Sequence, residues 1–278
     1  MPSAFLPDRA FVRIAGADAE HFLQNLITTD LGGLGENELR PGALLTPQGK
    51  ILFDFLISRQ DDGGFLVDIR ADQLEAFVRR MTMYKLRAAV TVEPLAETGA
   101  TVTWGEAGEG VADYRFGLAG TEVRRQPGPI GTPGDRDGYD ALRILHGVPE
   151  SGADYALQDA FPHDVLFDKS GGVSFRKGCY VGQEVVSRMQ HRSTARRRVV
   201  IVSAEAPLPA SGTEITIGGK PIGTLGTVAG ERGLAIVRID KAGEAMVAGE
   251  PILAGDVPVT VALPGWSGLT FPAAAEEA

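Results

Sequence analysis

The first hundred residues alternate short apolar runs with amphipathic stretches. A strand is predicted at Phe11 to Ile14, and a helix beginning near Asp18 places four apolar side chains on one face. These are Phe22, Leu23, Leu26 and Ile27. Apolar runs at Ala43 to Leu45 and Ile51 to Ser58 flank Thr46-Pro47-Gln48-Gly49, which suits a type I turn. The pattern therefore predicts a β-hairpin after the first helix.

The same alternation continues to about residue 104. A turn at 61 to 64 leads to a strand at Phe65 to Ile69, and a helix beginning near Asp72 carries apolar residues at helical spacing. These are Leu74, Phe77, Val78 and Met81. Further strands are predicted at Ala89 to Val92 and Thr101 to Trp104. Such a pattern indicates an α+β fold with helices packed on a largely antiparallel sheet, and a parallel βαβ arrangement fits it less well.

The second half of the chain divides into three parts. Residues 126 to 138 are rich in Gly, Pro and Asp, which predicts a loop or a crossover between two halves of the first domain; a helix follows at Asp140 to His146. After Arg196, β-branched runs predict a small β-barrel, with strands at 199–202, 213–217, 222–228, 234–239 and 257–263. We predict an α+β domain at 1–195, a barrel at 196–265 and a tail at 266–278 whose end, from 272, frays.

Composition limits the compartment and the partners. The 278 residues are 44% hydrophobic with a formal charge of -9, so the surface as a whole repels phosphate backbones and anionic membranes. The first ten residues lack the pattern of a signal or transit peptide, and no apolar run is long enough to span a bilayer. The single cysteine, Cys179, excludes an intrachain disulfide. We therefore expect a cytoplasmic protein.

The segment richest in chemistry is Phe175-Arg176-Lys177-Gly178-Cys179-Tyr180-Val181-Gly182-Gln183-Glu184. It places the only thiol between two glycines and directly after two cations, which favour the thiolate that acts as nucleophile or metal ligand. A helix starting near Cys179 would add the positive end of its dipole. The alternative is that Cys179 is a small buried hydrophobic residue and that the neighbouring charges are merely solvated.

Lys177 to Glu184 resembles the signature octapeptide K-G-C-Y-x-G-Q-E of the YgfZ family. Arg188, Arg192 and Arg197 are similar to the basic positions that follow it in that family. Further matches, within about residues 5 to 265, occur at Gly16, Phe22 to Asn25, Thr28 to Asp30, Gly49 to Phe55, Gly147 to Glu150 and Phe161-Pro162. The resemblance implies tetrahydrofolate as cofactor, and an aminomethyltransferase-like fold whose central folate pocket is closed by the C-terminal barrel. It also implies a role in iron–sulfur cluster assembly or repair that supports tRNA modification.

The resemblance also implies roles for individual residues. Cys179 is the functional thiol, and Lys177 tunes its charge. The implied folate contacts are Phe175, Tyr180, Gln183, Glu184, Arg188, Arg197, Asp54 and Asn25. Residue chemistry agrees with several of them, because a pterin needs a planar slot with paired hydrogen-bonding groups and its glutamate tail needs cations. The implied partners are iron–sulfur client proteins or the assembly machinery.

Two departures from the related glycine-cleavage aminomethyltransferases bear on the reaction. Those enzymes carry paired aspartates and a glutamate where this chain has Phe53 before Asp54, and Leu145. Aminomethyl transfer is therefore the second hypothesis, behind an accessory role in cluster biogenesis. A third is an RNA-binding module built on Arg192 to Arg198, which the acidic total charge disfavours. The four histidines show no ligand spacing, so no metal site is predicted.

Overall fold

The structure, a computed structural model, describes residues 2–105, 108–131, 134, 136–192 and 195–272. Its strands are β1 Ser3–Ala15, β2 Glu38–Leu45, β3 Ile51–Arg59, β4 Phe65–Arg70, β5 Thr91–Trp104, β6 Val111–Asp113, β7 Val123–Pro127, β8 Arg197–Ser203, β9 Glu214–Ile217, β10 Lys220–Ala229, β11 Arg232–Arg238, β12 Ile252–Ala254 and β13 Val257–Ala262. Its α-helices are α1 Ala19–Gln24, α2 Leu74–Lys85, α3 Tyr114–Gly117, α4 Arg136–His146, α5 Gln183–His191 and α6 Ile239–Ala248.

The first seven strands close into a barrel because β1 is long enough to pair on both sides. The strand order is β1, β4, β3, β2, β6, β7, β5, and β5 returns to β1. Residues 9 to 14 of β1 pair with β4, while β5 pairs along both halves of β1 across register shifts after Leu6 and Ala10. Among the described strands only β2 and β6 run parallel. The predicted antiparallel sheet is present, but it curls into a barrel and so loses its edges.

The predicted hairpin is confirmed, since Leu45 pairs with Ile51 around the turn. Two neighbouring predictions were wrong in extent. The strands predicted at 89–92 and 101–104 belong to the single strand β5, because the polar stretch between them still pairs with β1. Helix α1 ends at Gln24, before two of the four apolar residues that defined it. One of these, Ile27, is fully buried in a bridge to β2 instead.

Helix α2 contributes its apolar face to the core of the first barrel. Phe77 and Met81, one turn apart, are fully buried there. The ring of Phe77 lies 5.6 Å from that of Phe53, edge to face, and 5.7 Å from that of Phe55. Truncating such a side chain to alanine costs about 3–5 kcal/mol. Phe53 and Phe55 of β3 are therefore core residues.

The second barrel has the order β10, β11, β8, β13, β12, β9. The sequence pattern predicted five of its six strands but missed β12 and α6. Helix α6 begins at Ile239 directly after β11 and ends before Gly249, whose φ is +69°. Much of the buried face of α6 is small, for it includes Ala242, Gly243 and Ala245. Small residues give a weak apolar pattern, which is why the helix was not recognised.

Helix α4 and the segment after it hold the two barrels together. α4 contacts β1 of the first barrel and β10 of the second. The first part of the predicted tail is packed: the indole nitrogen of Trp266 donates to the carbonyl of His146 at 2.7 Å, and Phe271 packs on the second barrel's core. The stretch predicted to fray begins only at residue 272. Residues 273 to 278 lie outside the described residues. No helix in the described part of the chain has the length and apolar character needed to cross a bilayer.

Candidate functional site

The motif loop, residues 175 to 184, carries Cys179 between a chain of turns and α5. Cys179 is exposed, which excludes the alternative that it is a small buried hydrophobic residue. Gly178 beside it is also exposed, and a Cβ built at Gly178 would meet no atom within 4 Å. The space around the thiol is therefore open to another molecule.

The prediction that a helix starts near Cys179 was wrong. α5 begins at Gln183, and Gly182 precedes it with a φ of +79°. A Cβ at Gly182 would lie 2.5 Å from the carbonyl oxygen of Thr46, so only glycine lets the loop pack against the β2–β3 hairpin. The left-handed residue separates the thiol from the helix, and the free N–H groups of the first helical turn do not belong to Cys179.

Lys177 anchors the loop instead of standing beside the thiol as a solvated cation. It is 9% exposed, and its ammonium donates to the carbonyl oxygens of Ile27 and Thr29, both at 2.8 Å. Burial lowers the pKa of Lys177 to about 8, with Asp30 acting in the opposite direction. A role in setting the charge of Cys179 stays a prediction, whereas the contacts show that Lys177 ties the loop to the first barrel domain.

The segment that receives Lys177 is itself locked to the chain before the loop. The hydroxyl of Thr28 donates to the carbonyl of Gly172 at 2.5 Å and accepts from the backbone N–H of Ala43 at 2.9 Å. The N–H of Ser174 donates to the carbonyl of Thr28 at 3.0 Å. The sequence matches include Thr28 but assign it no role. A threonine pair inside an apolar stretch could have signalled this role, because buried hydroxyls need partners.

Tyr180 and Phe175 pack the motif loop against the core. Tyr180 is 6% exposed within the core cluster that joins the loop to α5 and β8, and burial raises the pKa of Tyr180 to about 12. Phe175 is half-buried, with its ring 5.9 Å from that of His163. His163 is fully buried, and its Nε2 lies 3.1 Å from the side-chain oxygen of Gln190 in α5. These aromatic residues are loop supports rather than an exposed ligand platform.

The other predicted folate contacts are spread over α5, β8 and the first barrel domain. Gln183, Glu184 and Arg188 are on α5, the last two exposed. Arg197 begins β8 and lies 3.4 Å from Asp159. The remaining two are on the first barrel domain. Asn25 is exposed at the end of α1, where its amide donates to the carbonyl of His21, and Asp54 in β3 accepts a hydrogen bond from the Tyr155 hydroxyl at 3.0 Å. The structure does not bring the eight residues together around one pocket.

A buried network of charged side chains lies inside the first barrel near Asp54, and we call it the paired interior. Arg9 and Arg125 both contact Asp68, at 2.6 and 2.8 Å, and all three side chains are at most 7% exposed. Arg125 also donates to the Tyr139 hydroxyl at 3.0 Å, and that hydroxyl lies 3.2 Å from Glu150. Burial raises the pKa of the Asp68 carboxyl, but Arg125 and Arg9 outweigh it and hold that pKa below its ordinary value.

The network extends to the second barrel through α4. Arg143, fully buried, contacts Asp154 at 2.8 Å and donates to the Thr227 hydroxyl of β10 at 2.9 Å. Asp154 also accepts from the backbone N–H of Thr227 at 2.7 Å. Burial raises the pKa of the Glu150 carboxyl, but Arg143 and other guanidinium groups lower it by a larger amount. The pKa of Glu150 is therefore well below its ordinary value. The paired interior thus fixes the two barrels to each other.

The free space in this interior is too small for folate. A cavity lined by Asp54, Tyr155, Arg115 and Glu150, among others, measures about 10 Å³, roughly the room that one water needs. Ligand pockets measure about 300–1,000 Å³. Cavities of about 580, 580 and 920 Å³ lie elsewhere and contain none of the eight predicted contacts. The residues around Asp54 therefore do not fit a pterin in this conformation.

Comparison with known proteins agrees with the fold. The family described as CAF17, C-terminal beta-barrel domain, matches residues 196–269. The crystal structure of glycine cleavage system aminomethyltransferase T from Bartonella henselae aligns with a TM-score of 0.70 at 16% identity, over 95% of this chain and 85% of that one. The predicted α+β, aminomethyltransferase-like fold with a C-terminal β-barrel is confirmed. At this identity the likeness shows the fold alone.

The cytoplasmic location predicted from the sequence was wrong, because relatives from three organisms are named as mitochondrial proteins. That finding points to a mitochondrial rather than a cytoplasmic location. The cysteine count could not have decided the matter, since a chain with one cysteine forms no intrachain disulfide in any compartment.

Sequence relatives define the family. The mouse protein named iron-sulfur cluster assembly factor IBA57, mitochondrial, is 32% identical over 273 residues, which cover 84% of this chain and 76% of the mouse protein. The human protein of the same name is 30% identical over 274 residues, covering 85% and 77%. The chain belongs to the IBA57/CAF17 family of iron–sulfur cluster assembly factors.

Proposed function

We propose that this protein supplies Cys179 as one ligand of an iron–sulfur cluster while the cluster passes between other proteins. The observation that carries the proposal is the exposure of the only thiol on a loop that two buried residues hold in place, Lys177 through its hydrogen bonds and Tyr180 in the core. The names of the relatives support cluster assembly as the process.

One thiol cannot hold a cluster alone. Iron–sulfur clusters of the common types are held by about four protein ligands, most often thiolates. Cys179 is the only cysteine, and the described residues include no group of three or more His, Cys, Asp or Glu placed to hold a metal ion. The remaining ligands come from a partner protein or from small thiols. The cluster is then cargo held at an interface.

Transfer by this route is a ligand exchange with no change of oxidation state. The Cys179 thiol releases its proton as sulfur bonds to iron, and the thiolate that leaves the iron takes up a proton. Lys177 and Tyr180 hold the backbone on both sides of the thiol, so little conformational freedom is lost when the partner binds. The glycines leave room for the incoming protein.

The finer part of the proposal concerns the branch and the clients. The octapeptide at 177–184 resembles the signature of the YgfZ branch, and that resemblance implies four-iron enzymes of tRNA modification as clients. Complementation of cells that lack the protein tests this, with tRNA methylthiolation as the readout. Wild type and Gly178→Ala should restore the modification, and Cys179→Ser should not. Full rescue by Cys179→Ser would remove the thiol from the proposal.

Folate binding stays a prediction, and no step above uses it. Titration calorimetry with tetrahydrofolate tests it on wild type and on Asp54→Asn. Saturable heat with a Kd below about 1 mM, or about -4 kcal/mol, that is lost in Asp54→Asn would establish a folate site at the paired interior. No heat at that concentration would remove folate from the account.

One aspartate of the pair and the glutamate of the glycine-cleavage aminomethyltransferases are replaced in this chain by apolar residues, which argues against the aminomethyl transferase hypothesis. Phe53 is buried against α2, and Leu145 is 51% exposed on α4. Asp54, the neighbouring acid, is already bonded to Tyr155. Turnover of an aminomethylated amine in the presence of tetrahydrofolate would revive the hypothesis.

A further inference from the structure

Five arginines lie within the motif loop or follow it in the chain and form what we call the basic rim: Arg176, Arg188, Arg192, Arg196 and Arg197. All five are exposed. Among the described residues only Arg197 has a carboxylate within 4 Å, that of Asp159. Glu184 is one helical turn before Arg188, a spacing that suits an ion pair, yet the two make none.

Arginines elsewhere on the surface are used differently. Most stand beside a carboxylate, as the pairs Arg59–Glu20, Arg79–Glu75 and Arg124–Glu122 show. Such pairs cancel charge locally and contribute roughly 0–1 kcal/mol to stability. In the basic rim, by contrast, four of the five arginines have no carboxylate within 4 Å among the described residues, on a protein whose total charge is -9.

Two parts of the rim adjoin the thiol in the chain. Arg176 is three residues from Cys179, within about 10 Å along the chain. Arg188, in α5, and Arg192, directly after it, are one helical turn apart, and α5 begins four residues after Cys179. The Debye length is about 10 Å at 0.1 M salt, so Arg176 lies within the range at which it acts on an anion that approaches the sulfur.

We propose that the basic rim docks an acidic protein face that presents a thiolate-ligated cluster to Cys179. This inference rests on the proposed function and adds the chemistry of the partner. A cluster held by thiolates carries net negative charge, so cations around the receiving thiol favour its approach. Complementary charge also raises association rates by 10- to 1,000-fold and selects the orientation in which the two surfaces meet.

Nucleic acid is the other polyanion that such a surface could bind, and the structure favours protein. Binding of single-stranded RNA draws on exposed aromatic rings that stack with bases. Tyr180 is buried, and Phe175 is half-buried against the core, so neither aromatic residue of the loop offers a free face. The acidic total also opposes a long phosphate backbone.

Thiol-labelling rates test the field of the rim without any cluster. Because Cys179 is the only thiol, the anionic disulfide 5,5′-dithiobis(2-nitrobenzoate) and the neutral 4,4′-dithiodipyridine both report on it alone. The measured quantity is the labelling rate with the anionic disulfide divided by the labelling rate with the neutral one. In wild type this ratio should fall about 3- to 10-fold between low and high salt. Arg188→Glu/Arg192→Glu should lower the ratio similarly at low salt.

The control is Arg87→Glu/Arg232→Glu, which makes the same charge change at two exposed arginines that have no ion pair among the described residues. It should leave the ratio near that of wild type. Equal ratios in wild type and both variants would overturn the proposal. Because no cluster is present, this result is independent of whether Cys179→Ser fails in complementation.

A competition experiment separates the two kinds of polyanion. An octaglutamate peptide should slow labelling of wild type by the neutral disulfide and should not slow that of Arg188→Glu/Arg192→Glu. An RNA of eight uridines should do so only at higher concentration. Protection by the RNA at tenfold lower concentration than the peptide would assign the rim to nucleic acid and overturn the proposal.

Discussion

The paired interior and the basic rim are both built on arginine, but the two regions leave its charge in opposite states. In the interior, Arg125 is 3% exposed and shares Asp68 with Arg9, and Arg143 is fully buried against Asp154. On the rim, Arg188 and Arg192 are exposed and have no carboxylate within 4 Å among the described residues. The first region is closed and neutralised, and the second is open and positive.

The difference separates structure from function in this molecule. An unpaired charge in the interior would cost several kcal/mol, so the interior must satisfy itself and has little capacity left for a ligand. An unpaired charge on the surface costs almost nothing and remains available to a partner. The interior therefore offers no free site for the implied folate. The surface around the exposed thiol, by contrast, is free to bind a partner.

The largest effect is expected from a substitution that breaks the paired interior. Asp68→Asn leaves Arg9 and Arg125 buried without their shared carboxylate and should cost about 3–5 kcal/mol in the free energy of unfolding, measured by urea denaturation. Glu75→Gln removes an exposed carboxylate paired with Arg79 and should cost less than about 0.5 kcal/mol. Similar losses for the two variants would show that the interior is not a stabilising network.

A smaller effect is expected at the loop anchor. Lys177→Met leaves the buried carbonyls of Ile27 and Thr29 without their donor and should cost about 2–3 kcal/mol. Lys220→Met, at an exposed lysine of β10, is the control and should change stability by less than about 0.5 kcal/mol. Hydrogen exchange should speed up at residues 172 to 180 in Lys177→Met. Unchanged exchange there would contradict the anchoring role.

The anchor also has a pH signature. The pKa of Lys177 is about 8 in the folded protein, against about 10.4 for a free lysine, so the unfolded chain binds more protons between these values. Wild-type stability therefore gains from this group as pH rises from about 8 to about 10.5. Lys177→Met lacks that gain, and its deficit relative to wild type should grow across this window. A deficit that shrinks with pH would contradict the assigned environment.

The smallest of these effects compares the two glycines beside the thiol. Gly182→Ala forces a side chain into a left-handed conformation 2.5 Å from the Thr46 carbonyl and should cost about 1–3 kcal/mol. Gly178→Ala meets no neighbour and should change stability by less than about 0.5 kcal/mol. Thermal unfolding measures both. Equal shifts would mean that Gly182 does not fix the loop against the hairpin.

Much of the architecture was predictable from local patterns. Alternating burial and turn chemistry gave the β2–β3 hairpin and five strands of the second barrel. Barrel closure was not predictable, because it depends on β1 pairing with β5 some 80 residues away. Helix α6 escaped because its buried face is largely alanine and glycine.

The site was only partly predictable for a similar reason. The composition of the motif indicated Cys179 as the functional thiol. Its exposure in the structure agrees with that role. The use of Lys177 could not be read from neighbours in sequence, because its partners are about 150 residues earlier. The same holds for Asp54, whose surroundings are filled by residues from distant strands, from α3 and from the segment that follows α4. Long-range contacts decided which candidates face solvent and which are anchors.

Cluster binding by Cys179 is the most direct test of the account. A [2Fe–2S] cluster ligated by glutathione is mixed anaerobically with wild type or Cys179→Ser, and iron and visible circular dichroism are measured in the protein fraction after gel filtration. Wild type should retain iron with a chiral visible signal, and Cys179→Ser should retain none while keeping its fold by far-ultraviolet circular dichroism. Equal iron and equal signal in both proteins would show that the cluster is held elsewhere and would contradict the account.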